Sequence, residues 1–190
     1  MGSDTIVATS TETLDFSGLN FGTGIDVDLN LRNSAQTVVD HLGQQLELTF
    51  EGSFSRALVE NVIGTNQDDA ITANSRANRL EGGLGSDTYL SSFVSSNDTI
   101  IELDGQGVDT LDYSSSFSNL TIDLREISEG VEDVVGGSGN DTIIGNSLNN
   151  RLEGGEGDDI YRFAGQDSFC LLYTSPSPRD LSTSRMPSSA

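Results

Sequence analysis

Aspartates stand at a fixed distance behind glycines in two stretches of this 190-residue chain. Gly136-Gly137-Ser138-Gly139-Asn140-Asp141-Thr142-Ile143-Ile144 has the form G-G-x-G-x-D-x-U-x, with U a large apolar residue. Gly154-Gly155-Glu156-Gly157-Asp158-Asp159-Ile160-Tyr161-Arg162 repeats it, and residues 145–153 between them are a degenerate copy. Glycine permits the positive-φ or cramped backbone of a tight turn, so that carbonyl oxygens converge. Aspartate at position six adds a carboxylate. Calcium is a hard ion that takes roughly six to eight oxygens at about 2.3–2.6 Å. Carbonyls and carboxylates gathered in one turn are donors of that kind.

The pattern recurs upstream. Residues 59–91 and 131–163 align without a gap, 72 positions apart, and share Asn-Arg-Leu-Glu-Gly-Gly-x-Gly-x-Asp-x-Tyr. The earlier copy has its turn residues at Gly64 and Asp69, then at Gly82, Gly83, Gly85 and Asp87. Thr65 and Gln67 replace two turn glycines there, so the second copy fits the pattern more fully. Asp104-Gly105-Gln106-Gly107-Val108-Asp109 is a further near match, lacking the first Gly. Asp98 and Asp109 are eleven apart, so the nine-residue register slips between them. Around 74–78 and 146–150 asparagines stand where aspartate would.

These nonapeptides resemble the RTX, or haemolysin-type, calcium-binding repeat family. The resemblance covers about residues 4–168 and is strongest over 59–91 and 131–163. It implies an all-β chain, a parallel β-roll or β-helix solenoid, in which eighteen residues make one coil. Asp141 and Asp159, eighteen apart, would then share one calcium, with Gly136, Ser138, Gly154, Gly155 and Gly157 shaping the site. Asp69 and Asp87 would be the equivalent pair, and Asp109 a further ligand. The resemblance also implies type I export of a longer secreted protein, with calcium met outside the cell.

Position eight of each nonapeptide should point inward along a very short strand: Ile71, Leu80 and Tyr89, then Ile143, Leu152 and Tyr161. Alternation at Ile25–Leu29, Leu46–Phe50 and Leu120–Leu124 reads as longer half-buried strands. A short helical turn is expected near Ser55–Glu60. Thr13-Leu14-Asp15-Phe16-Ser17 matches Thr110-Leu111-Asp112-Tyr113-Ser114, and Asp4–Val7 resembles Asp98–Ile101. One module therefore runs over 1–97, with an insertion at about 30–58, and a second over 98–168. Residues 169–190 differ in composition: they hold all three prolines and the only Cys, and no glycine. The string Cys170–Asp180 resembles translated sequencing-adapter DNA, and this tail is expected to be disordered or artefactual.

Charge narrows the function. The chain has a net charge of −21, nine Arg and no Lys. Phosphate backbones need clustered basic residues, so a nucleic-acid partner is not expected. Self-repulsion opposes compaction, and divalent cations relieve it. No apolar run is long enough for a membrane span, and Met1–Thr5 does not begin a signal peptide. His41 has no Cys or His partner, and no nucleophile stands with a base. The expected reading is a non-enzymatic, calcium-gated structural or adhesive module of an extracellular protein, meeting cell-surface or matrix components through its parent. The alternative is the calcium-binding C-terminal region of a secreted protease, lipase or polysaccharide epimerase.

Overall fold

A computed structural model describes residues 3–6, 12–19, 22–30, 35–41, 44–50, 59–91, 98–102, 105, 107–127, 130–163 and 171–173. Its frame is a two-faced coil of very short parallel strands. One face is a seven-stranded sheet that begins with Asp26–Asp28 and continues through Ala70–Thr72, Thr88–Leu90, Thr110–Asp112, Asp133–Val135 and Arg151–Glu153 to Leu171–Tyr173. The opposite face is split. Glu12–Asp15, Val59–Ile63, Arg79–Glu81 and Thr99–Ile101 form four strands of it. Thr121–Asp123, Thr142–Ile144 and Ile160–Arg162 form three more. Every ladder within these three sheets is parallel.

Three-residue strands give each coil one inward side chain per face. These are the position-eight residues: Ile71, Leu80, Tyr89, Ile143 and Leu152 are all at most 3% exposed, and Tyr161 is partly buried. They stack in register with Val27, Val62, Leu111, Ile122 and Val134 into one core. Parallel stacking thus buries a continuous apolar column that no single coil could bury.

The nine-residue period does not persist. Inward residues step by nine from Val62 through Ile71 and Leu80 to Tyr89. They then step by eleven through Ile100 and Leu111 to Ile122, and by twelve to Val134. Seven crossings therefore fill the 72 residues that eight nonapeptides would span. An odd number of crossings exchanges the faces. Val62 lies in the four-stranded sheet, and its repeat partner Val134 in the seven-stranded one. Thr13–Ser17 and Thr110–Ser114 are likewise on opposite faces, though Asp15 Oδ1 and Asp112 Oδ1 each accept the amide of the serine two residues on, at 3.0 and 2.8 Å.

Several expectations are corrected. Gln44–Phe50 is a strand, but it pairs antiparallel with Ala35–His41 and parallel with Ser3–Ile6 in a separate three-stranded sheet. Ser3–Ile6 is thus not placed like Thr99–Ile101. The helical turn expected at Ser55–Glu60 is not found at its described end, where Val59 opens a strand; residues 51–58 lie outside the described set. A helical turn occurs instead at Leu124–Ile127. The Asp123 carboxylate caps it by accepting Arg125 N at 3.1 Å, and Leu124 is fully buried. Leu171–Tyr173, beyond the composition break, adds the last strand against Arg151–Glu153. Among the described residues no helix is long and apolar enough to cross a membrane.

Candidate metal centre

Face exchange puts the aspartate turns on both edges of the coil. On the first edge, residues 64–69, 82–87 and 107–109 stack after strands of the four-stranded sheet. On the second, residues 136–141 and 154–159 stack after strands of the seven-stranded sheet.

The first edge carries a ladder of carboxylates. Asp69 N donates to Asp87 Oδ1 at 2.8 Å, Asp87 N to Asp109 Oδ1 at 2.9 Å, and Asp109 N to Glu132 Oε2 at 2.9 Å. The return strand completes each link, since Thr88 N donates to Asp69 O and Thr110 N to Asp87 O, both at 2.8 Å. Asp69, Asp87 and Asp109 are at most 3% exposed. Gly83 and Gly85 take φ of 111° and 119°, values that side-chain-bearing residues rarely adopt. The turn at 64–69 forms without them: Thr65 N and Oγ1 donate to Asp69 Oδ2 and Oδ1 at 2.5 and 2.9 Å, and Gly64 keeps its place before it. Loss of two glycines therefore did not cost this turn its buried aspartate.

The second edge holds Asp141 and Asp159 together as the spacing implied. Asp141 N donates to Asp159 Oδ1 at 2.8 Å, and Ile160 N to Asp141 O at 2.7 Å. Asp141 Oδ1 accepts from Leu120 N at 2.9 Å and its Oδ2 from Gly137 N at 3.0 Å. Gly136 and Gly154 lie back to back, and Ser138 N binds Ser116 O at 2.9 Å. Gly155 and Gly157 repeat the positive φ of Gly83 and Gly85, at 91° and 115°.

The asparagine turns are built differently. Asn74 N donates to Asn78 Oδ1 at 3.1 Å, and Asn146 N to Asn150 Oδ1 at 3.0 Å. Their amide nitrogens reach the preceding coil at Val59 O and Val131 O, at 3.0 and 2.8 Å. A carboxylate has no N–H to give. Asparagine thus ties these turns to the preceding coil with its own N–H groups.

Sequence reasoning missed Glu102 and Glu132. Both lie outside the nonapeptide template, and only the structure brings them to the ladder. One oxygen each of Asp87, Glu102 and Asp109 lie within 4.8 Å of one another, the one such acidic group among the described residues. Burial pushes the Asp87 carboxyl up to about 8, and Asp69, Glu102 and Asp109 add negative charge around it. Burial, with Asp109 and Glu132 nearby, raises Glu102 to about 7. Burial also raises Asp69 and Asp109. The hydroxyl of Tyr89 donates to Glu102 Oε1 and is itself held well above the usual phenol range, mainly by burial.

The sign of the resulting pH dependence follows from linkage. Unfolded Asp and Glu titrate near 3.9 and 4.3, so the folded chain without calcium binds protons that the unfolded chain releases. The stability tied to these groups is full below about pH 4 and is lost as pH rises through about 7–8. In chelator, the far-UV β signal should therefore be larger near about pH 5 than near about pH 8, where these carboxylates ionise and the chain loosens. Saturating calcium should remove most of that difference; a signal flat with pH in chelator contradicts this.

The family model of the RTX calcium-binding nonapeptide repeat matches four copies, over residues 63–92 and 128–169. The chain carries RTX-type calcium-binding repeats. The matched segments contain the aspartate turns 64–69, 82–87, 136–141 and 154–159, so its RTX repeats supply the ladder on each edge. The Asp109 turn falls between the matches. Neither the curated proteins nor the solved structures include a match to the chain. The RTX repeats make this a calcium-binding repeat module with a parallel β-solenoid fold.

Proposed function

We propose that calcium gates the folding of this chain, and that the folded coil is a structural or adhesive part of an exported protein rather than an enzyme. One observation carries the reading. Buried aspartates run along the coil, and the charges felt by Asp87 are those of Asp69, Glu102 and Asp109, all negative. The arginines Arg76, Arg79, Arg125 and Arg151 are paired with Glu60, Glu81, Asp123 and Glu153 instead. Clustered buried carboxylates need protons or a cation. In a calcium-poor cytosol they repel and the chain stays loose. Outside the cell, calcium at about 10⁻⁴–10⁻³ M suits weak extracellular modules. Binding free energy then becomes folding free energy.

Fit to the glycine pattern favours the second copy as the tighter site, whereas the number of converging carboxylates favours the first. Affinity for calcium rises with ligand charge, so the first edge is the tighter. Isothermal titration of calcium into the full chain should resolve two classes of site. Asp87→Asn should abolish the tighter class and Asp141→Asn the weaker. A native chain that binds no calcium sinks the reading, and a tighter class lost in Asp141→Asn reverses the ranking.

A further inference from the structure

Glu102 stands where the repeat calls for glycine. It follows the strand Thr99–Ile101 directly, as Gly64 and Gly82 follow the strands stacked beside it. Ile101 pairs with Glu81, which sets Glu102 against Gly82. Gly82 N donates to Glu102 Oε1 at 3.2 Å, and the Tyr89 hydroxyl donates to the same oxygen. A Cβ on Gly82 would lie 2.1 Å from Asp87 Oδ2 and 2.5 Å from Glu102 Oε1. Carboxylate oxygens from two coils thus converge over the residue that has no side chain.

Asp87 Oδ2 decides what this convergence is for. Asp87 is 1% exposed, and its Oδ2 is buried without a hydrogen-bond partner. A buried carboxylate oxygen left unsatisfied is costly. One oxygen each of Asp87, Glu102 and Asp109 lie within 4.8 Å of one another, close enough for one cation to take all three.

We propose that Asp87, Glu102 and Asp109 form a calcium site built from three side-chain carboxylates, with Tyr89 as the residue that positions Glu102. The proposal rests on the calcium reading above and adds a ligand that the nonapeptide does not supply. The second copy shows what Glu102 changes. Gly154, Asp159 and Tyr161 repeat Gly82, Asp87 and Tyr89, but there the Tyr161 oxygen accepts Gly154 N directly, at 2.9 Å.

Terbium, a lanthanide of calcium's size, tests the site in the full chain, which has no Trp and four Tyr to sensitise its emission. Emission excited through tyrosine and displaced by calcium should lose a component in Tyr89→Phe. The midpoint of that component should rise about tenfold in Glu102→Gln, since ligand charge sets affinity. Far-UV circular dichroism in calcium checks each fold; should Glu102→Gln not fold, the Tyr89→Phe emission decides alone. Native emission in Tyr89→Phe, or an unmoved midpoint in folded Glu102→Gln, overturns the proposal while calcium binding elsewhere stands. A native chain that binds no calcium overturns the broader reading instead.

Discussion

Gly107→Ala is expected to lower the melting temperature of the calcium-saturated chain by about 6–12 °C, a loss of about 3 kcal/mol. The cause is backbone against backbone. A Cβ on Gly107 would lie 1.5 Å from Gly85 O and 2.4 Å from Gly85 C. No rotamer change relieves that contact, because neither atom belongs to a flexible side chain. Residues 82–87 and 107–109 must separate, and they carry Asp87 and Asp109. Calcium affinity at the first edge should fall with stability. Gly18→Ala is the control: a Cβ there meets nothing within 4 Å. It should change stability by no more than about 0.5 kcal/mol. Equal melting temperatures for the two variants would mean that the turns do not stack as described.

Leu152→Ala should cost a similar amount, about 2–5 kcal/mol, by leaving a cavity in the column. Leu152 is fully buried and pairs with Val134 on one side and with the strand Leu171–Tyr173 on the other. Neighbouring coils hold each other at fixed spacing, so they close poorly around a lost side chain. Leu84→Ala makes the comparison. Leu84 is 45% exposed on a turn, and its truncation should cost less than about 1 kcal/mol. Urea unfolding in saturating calcium measures both; a Leu152→Ala cost no greater than that of Leu84→Ala would place Leu152 outside the core.

The turns and the core were legible because each is local. Gly83 and Gly85 announce a backbone that other residues avoid, and Asp87 follows at a fixed offset. Ile71, Leu80 and Tyr89 then fall inward at every ninth residue. What stayed hidden depends on distance along the coil. Residues 59–91 and 131–163 align without a gap, yet steps of eleven and twelve residues between them exchange the faces. A gapless alignment carries no trace of that exchange. Glu102 and Glu132 were missed for the same reason: each joins the ladder from a coil where the template no longer applies. Alternation marked Gln44–Phe50 as a strand, but period two does not tell parallel from antiparallel pairing.

The face split leaves a physical mark. Between the strands Thr99–Ile101 and Thr121–Asp123 lies a cavity of about 470 Å³, bounded by Leu80, Tyr89, Ile100, Leu111 and Tyr113 and edged by Asp98, Asp123 and Glu126. It sits where eleven-residue steps replace nine-residue ones, and where the four-stranded and three-stranded sheets fail to join. Burial, with Asp98 nearby, raises the Tyr113 hydroxyl to about 12. The register slip seen between Asp98 and Asp109 is therefore also the place where one face of the coil is interrupted.

The central claim is that calcium and this coil form together. Far-UV circular dichroism of the full chain at about pH 8, recorded from chelator up to millimolar calcium, tests it most directly. The account predicts little β-structure in chelator and a β signal that rises in step with calcium occupancy and then saturates. A β signal already complete in chelator and unmoved by calcium would contradict it.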